Sequence, residues 1–364
     1  MQISIINRVL KVYCTMGKVF GTWLSFILLL LFLSIIRIIV GLFMFLDNIF
    51  SPSLITKKIK NPITIVGNPR SGTTFLHRYL IKNNIGSGSE LWQLIYTSVT
   101  LQRIIKPILP LLERFSPTKY HSTEAHKTSL SSIETDDASM LFRFFDGFFL
   151  YGFFLTWANE DLFDWVDPKK RNNSERDFNW FESMWKRTLI FHNSNRMIAK
   201  LFSVSANCPA YQNKFKDGKI LYMVRDPLSV IPSGLSLVTG VLDKKFNFWS
   251  MPKDKRQKFI EKLYRALIEL LLRFEDDWKN NRIDKTKVMV IRFDRMMSDF
   301  EGLMDDILNF VDYKPSDDFI SDIKKTAEEQ KSFKSGHKYD LEKFGLTEER
   351  IKKDCSTIYT TFLN

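Results

Sequence analysis

The sequence predicts an α/β fold in which a central parallel sheet is flanked by helices in a three-layer sandwich, preceded by an N-terminal membrane helix. Three observations carry this. A short apolar run, Ile63–Val66, leads into a glycine-bracketed loop and a helix start. Two further strand-like runs, 219–224 (KILYMV) and 288–293 (VMVIRF), are separated by a segment of helical period. Residues 19–36 carry no charge at all. Strands alternating with helices imply a parallel sheet covered on both faces.

The uncharged run comes first. Eighteen helical residues rise about 27 Å, just enough to cross a hydrocarbon core. Arg37 interrupts it, and apolar character resumes to Leu46. The run starts late and lacks a small-residue cleavage site, which argues against a signal peptide. A single span and a re-entrant or monotopic anchor both fit. Three cations precede the run and Lys57, Lys58 and Lys60 follow it, so flanking charge does not choose an orientation.

The expected domains are therefore an anchor over 1–46, a polar basic linker over 47–61 and a catalytic domain over 62–364. Within the last, 101–115 is an apolar segment broken by prolines. The phenylalanine-rich 140–157 holds Arg143 and Asp146, which disfavours a second span. It reads either as a core helix or as an apolar wall meeting lipid or a lipid-like substrate. Phe259, Leu263, Ala266, Leu267, Leu270 and Phe274 recur at helical spacing, predicting an amphipathic helix over 253–281.

Composition bounds the partners. Of 364 residues, 45% are hydrophobic, and Lys and Arg exceed Asp and Glu by twelve. A basic excess suits an anionic cofactor, anionic lipid or nucleic acid. The aromatic interleaving of single-strand binders is missing, so no nucleic-acid partner is expected. Cys14, Cys208 and Cys355 form no C-x-x-C pair, which argues for a reducing compartment and against structural zinc. The catalytic domain is accordingly expected on the cytoplasmic side of a membrane.

The chemistry begins at PITIVGNPRSGTT (62–74). Strand, glycine loop and helix N-terminus make an anion cradle, because backbone N–H groups converge there and the helix dipole favours negative charge. The spacing matches the start of a nucleotide-binding P-loop, but Thr73 stands where the lysine belongs. Arg70 is the loop's cation. A second motif, RDPLSVIPS, sets Arg225 at a strand end with Ser233 eight residues on. Strand C-terminal ends line one crevice in a parallel sheet, so this pair suits a second phosphate of the same ligand. A salt bridge of Arg225 with Asp226 is the plainer reading. A P-loop kinase or NTPase is the alternative enzyme; it would use Thr74 and an acid such as Asp294 to hold Mg²⁺.

With both motifs in view, the chain resembles the PAPS-dependent sulfotransferases, in their bacterial-type, membrane-anchored branch. PRSGTT resembles their 5′-phosphosulfate loop, Arg225 and Ser233 their 3′-phosphate site. The tail SFKSGHKYDLEKFGLTEERI resembles that branch's His-x-Tyr ending, and the likeness covers roughly 61–355. It implies 3′-phosphoadenosine 5′-phosphosulfate as sulfate donor and no required metal. It also implies donor contacts from Gly67, Arg70, Ser71, Gly72, Thr73, Thr74, Lys200, Arg225, Ser233, His337 and Tyr339. Arg70 is expected to stabilise the leaving oxygen.

The base is expected at His126, with Glu134, Asp136 or Asp137 either orienting it or taking the proton. His121 and His337 are lesser candidates. The chain departs from the branch at Thr135, where a glutamate is frequent. The anchor and the phenylalanine-rich segment point to a lipid-like alcohol, sterol-like molecule or quinol as acceptor. Carbohydrate sulfation and a non-catalytic nucleotide-binding membrane protein are the other readings.

Overall fold

The computed structural model describes residues 3–116, 128–332 and 340–364. The chain divides into two compact units: residues 60–86, 198–234 and 267–364 form one, and residues 1–59, 87–197 and 235–266 the other.

The first of these holds the sheet. Strands β1 (Ile63–Val66), β2 (Ile198–Lys200), β3 (Lys219–Val224) and β4 (Val288–Arg292) lie in the order β2-β1-β3-β4, all parallel. Register is fixed by Ile65 opposite Lys200 on one side and Leu221 on the other, and by Leu221 opposite Met289. Parallel sheets survive only when covered on both faces, and alternate residues of each strand go to opposite faces. Ile63, Ile65, Leu221, Met223 and Ile291 share one core with Leu76 and Leu80 of the helix Thr73–Lys82 and with the helices Phe300–Phe310 and Asp317–Ser332. On the opposite face, Tyr222 stacks on Phe274 at 3.5 Å between ring centroids, and Phe362 lies 5.6 Å from it. Thr64 meets the Tyr211 hydroxyl there.

Two details differ from the sequence reading. Strand β4 stops at Arg292, and Phe293 opens the helix Phe293–Ser298. The three-residue β2 had no counterpart among the runs read as strands.

The other unit is helical. Its N-terminal helix Ile5–Phe20 ends at Gly21, whose left-handed backbone (φ 68°) lets its N–H close onto Gly17. The apolar helix Trp23–Phe50 follows, and it is long and apolar enough to cross a membrane. The uncharged run read as 19–36 is thus split, since Val19 and Phe20 belong to the helix before the break. Buried Asp47 sits inside the apolar helix. It accepts from Arg187 Nε at 2.8 Å, from Ser98 Oγ at 2.8 Å and from the Thr100 N–H at 2.9 Å.

The 101–115 segment is a chain of short helical pieces, Val99–Ile105, Lys106–Ile108 and Leu109–Phe115, with Pro107 and Pro110 near the starts of the later two. The phenylalanine-rich 140–157 breaks at Phe145 (φ 50°) and Gly147 (φ 85°) into the helices Ala138–Phe144 and Phe148–Phe153. Leu150, Tyr151, Leu155 and Trp157 are buried, which favours the core reading of that segment.

Candidate functional site

All the geometry of the anion cradle lies within the sheet unit. Chain order runs from β1 outward to β2 and then back to β3 on β1's other side. The carboxyl ends of β1 and β3 therefore flank a topological switch point, where open α/β sheets take their ligands. The 67–72 loop leaves β1 there, and Arg225 leaves β3.

Two glycines set the loop's path. At Gly67 (φ 142°) a Cβ would stand 2.5 Å from the Met223 carbonyl oxygen, so only glycine lets the loop lie against β3. At Gly72 (φ 92°) a Cβ would meet Met296 at 2.6 Å and Phe293 at 3.0 Å, just before the helix Thr73–Lys82 begins. Ser71 donates its hydroxyl to the Asn68 carbonyl at 2.7 Å and braces the loop internally. Asn68 Nδ2 donates to the Leu267 carbonyl at 2.7 Å and fixes the loop's base. Asn68 was not among the residues singled out from sequence, although it lies inside the motif.

Arg70 takes a left-handed backbone (φ 79°), a cost that a non-glycine residue bears only where the surroundings impose it. Its Nε donates to Ser233 Oγ at 2.9 Å, and its carbonyl accepts from Arg225 Nη1 at 2.9 Å. The Arg225 guanidinium also lies 4.1 Å over the Phe293 ring. Arg70 thus hydrogen-bonds both Ser233 and Arg225, although the sequence predicts them as parts of two separate phosphate contacts.

Lys200 closes the far side. It ends β2, is buried, and Nζ donates to Thr74 Oγ1 at 2.9 Å. It is therefore a buried lysine and not a solvated surface one. Behind this pair sits His77, fully buried, with Nε2 at 2.9 Å from the Ile198 carbonyl. That acceptor places the proton on Nε2. Burial, and then the Lys200 charge, push the imidazole pKa down to about 3, so it is neutral. His77 ties the helix to β2 and thereby sets Thr74 against Lys200. Sequence reading missed it, because a lone histidine on a helix face carries no distinguishing pattern.

The nearby acids have other tasks. Asp226 Oδ1 accepts from the Leu228 N–H at 2.9 Å and from the Tyr359 hydroxyl at 2.6 Å, starting the helix Pro227–Phe246. Asp294 follows the edge strand β4, one strand removed from the cradle, and pairs with Arg292 at 2.7 Å. The Arg292 hydrogen bond holds its carboxyl below the usual range. Three cations, a helix N-terminus and two glycine-only positions thus converge, and the chemistry they suit is binding of a multiply charged anion.

The carboxylates proposed around the base lie in the helical unit. Glu134, Asp136 and Asp137 are all buried. Asp136 Oδ1 accepts from Trp185 Nε1 at 3.1 Å, and Asp137 Oδ2 accepts from Thr135 Oγ1 at 3.0 Å. His121, His126, His337 and Tyr339 lie outside the described residues.

Comparison with known proteins bears on this geometry. Residues 62–318 match a family model described as "Sulfotransferase family". Among solved structures, the sulfotransferase STF1 from Mycobacterium tuberculosis H37Rv superposes with a TM-score of 0.67 at 17% identity, over 96% of this chain and 90% of that one. The sulfotransferase STF9 from Mycobacterium avium does so with a TM-score of 0.69 at 14% identity, over 88% and 80%. These likenesses speak for the fold. A search of curated protein sequences returned no match. The family model spans most of the chain, cradle included, and on that ground the chain belongs to the sulfotransferase family.

Proposed function

We propose that this enzyme transfers the sulfuryl group of 3′-phosphoadenosine 5′-phosphosulfate to a hydroxyl of a hydrophobic, lipid-like acceptor at a membrane, with the catalytic domain on the cytoplasmic side. The observation that carries the donor assignment is the joining of Arg70, Arg225 and Ser233 beside the Lys200–Thr74 pair. The donor is anionic at both its 5′ and its 3′ ends. The fit is supported by two cradle positions that a Cβ would fill and by cations arriving from β2, β3 and the loop.

In this reading Thr73, Thr74, Lys200 and the loop N–H groups hold the 5′ end, and Arg225 and Ser233 hold the 3′ phosphate. The family resemblance assigns donor contacts to His337 and Tyr339 as well. The acceptor oxygen forms a bond to sulfur as the bond from sulfur to the 5′-phosphate oxygen breaks. The acceptor proton goes to His126 or to one of Glu134, Asp136 and Asp137. Charge develops on the departing oxygen, and Arg70 supplies the donor that meets it. Sulfuryl transfer moves less negative charge than phosphoryl transfer, which suits a cradle without a lysine at position 73.

The lipid-like acceptor is supported by the exposed apolar helix Trp23–Phe50. The test is incubation of membranes carrying the full chain with ³⁵S-labelled donor, followed by lipid extraction. Label in the organic phase, lost in the Arg70→Met variant, is the expected result. Label confined to the aqueous, sugar-containing fraction refutes the lipid acceptor, and no transfer to any fraction refutes catalysis.

A further inference from the structure

The two ends of the apolar stretch are tied to one place. Arg8, in the helix before it, donates from Nε to the Phe145 carbonyl at 2.9 Å and from Nη2 to the Phe144 carbonyl at 3.1 Å. Arg37, inside the apolar helix, donates from Nη2 to the carbonyl of Arg143. These three successive carbonyls close the helix Ala138–Phe144, and such groups need donors from elsewhere. Residues 8 and 37 therefore bracket residues 19–36 from a single anchoring point.

Further ties hold the same helices to the same unit. Lys11 pairs with Glu160, and Phe20 meets Trp157 at 4.9 Å. Val40 packs with Trp92, Leu101 and Ile105, and Asp47 holds Arg187. Trp23 lies over Gly17, where a Cβ would stand 2.3 Å from its ring, so the two helices fold back at Gly21 as a hairpin. A helix whose two ends are bonded to one folded unit cannot place them on opposite sides of a bilayer. The stretch between Trp23 and Ile36 rises only about 21 Å, short of a 30 Å core.

The exposed side of this hairpin is apolar. Leu24, Leu28, Leu31 and Ile35, continuing at alternating steps of three and four to Ile49, stand out of the protein along the whole helix. Ile104, Ile108, Leu111 and Phe115 of the 99–115 pieces are exposed in the same unit, and the first of those pieces, Val99–Ile105, packs against the apolar helix. Exposed Arg103, Lys106 and Arg114 are interspersed among them. Apolar side chains mixed with cations match an anionic lipid surface. A paired coiled coil would instead need charges flanking the stripe to set its register, and Arg37 is the only charge from Trp23 to Leu46.

We propose that the chain is monotopic: the Ile5–Phe50 hairpin lies in one leaflet without crossing it, and the 99–115 segment is a second insertion element that selects anionic lipid. This rests on the membrane reading given above. The test uses sealed vesicles from cells expressing the full chain in a Cys14→Ser background, since Cys208 and Cys355 are buried. Single cysteines are placed by Ser4→Cys, before the hairpin, and Lys58→Cys, after it. An impermeant maleimide should label both to the same extent before detergent is added. One labelled and one protected overturns the proposal while leaving the membrane enzyme intact. A chain that does not sediment with the membranes overturns both.

For the second element, the triple variant Ile104→Glu, Ile108→Glu, Leu111→Glu should partition at least tenfold more weakly onto phosphatidylglycerol-containing vesicles. The parent's preference for them over phosphatidylcholine alone should fall as salt is raised. Unchanged partitioning of a variant that unfolds at the parent's temperature refutes this element. Should the variant fail to fold, conjugating a fluorophore at Phe115→Cys and quenching it with a lipid-borne nitroxide gives the same decision.

Discussion

His77 makes the cradle's integrity depend on pH. In the unfolded chain an imidazole takes up its proton near pH 6.5, whereas in the folded protein burial and Lys200 delay that to about pH 3. Between those values the unfolded state binds the extra proton, so stability is lost as pH falls from about 6.5 toward 3. At pH 5 the two titrations give a loss of about 2 kcal/mol relative to pH 8, about two fifths of the roughly 5 kcal/mol at the lower end of domain stability. The comparison is His77→Gln, whose side-chain amide still offers a donor to the Ile198 carbonyl but does not titrate. Denaturant unfolding of both proteins at pH 8 and pH 5 removes the contributions of all other groups by difference. Wild type should lose about 2 kcal/mol more than the variant over that interval. Equal losses, within about 0.5 kcal/mol, would show that the imidazole is not held neutral and that the tie between β2 and the helix has been misread.

The remaining expectations are read the same way. Gly67→Ala should cost about 3 kcal/mol in unfolding experiments, because the Met223 carbonyl 2.5 Å from the new Cβ belongs to β3 and cannot move cheaply. Arg70→Gly should be about 1 kcal/mol more stable than Arg70→Ala, since glycine relieves the left-handed backbone, while both lose sulfate transfer. Lys200→Met should weaken donor binding by about tenfold or more by calorimetry, and it should also raise the His77 pKa by removing a charge that depresses it. Asp47→Asn leaves Arg187 buried beside a neutral partner and should destabilise the helical unit by about 3 kcal/mol, measured by thermal unfolding.

What was legible in the sequence followed from local physics. β1 and β3 announce themselves because a strand buried on both faces must be a continuous apolar run, and 63–66 and 219–224 are such runs. β2 is three residues, Ile-Ala-Lys, too short to carry a pattern; it is a strand because β1 pairs with it. The glycine loop was legible because its backbone demands glycine at 67 and 72. That Arg70 would meet Ser233, 163 residues away, was not, because chain separation carries no geometry. Hydropathy likewise read through Gly21, since an αL residue that ends a helix can sit inside an uncharged run without changing its mean. The proposed base lies partly beyond reach, with His126 outside the described residues and Asp136 holding the Trp185 indole.

The absent P-loop lysine takes on a physical meaning once the strands are assembled. In a loop with lysine after the second glycine, cation and helix N-terminus come from one contiguous segment. Here position 73 is a buried threonine, and besides the loop's own Arg70 the charge comes from the neighbouring strands: Lys200 from the end of β2, Arg225 from the end of β3. Neither reaches the cradle unless its strand is paired with β1. Binding of an anionic ligand is therefore linked to the closing of the sheet on both sides of β1, and a ligand that binds only the assembled state stabilises that state by mass action. Saturating donor should accordingly protect the β1–β2 and β1–β3 amides together from hydrogen exchange. Protection confined to the 67–74 loop would mean that the loop alone makes the site and that the strand-borne cations do not contribute.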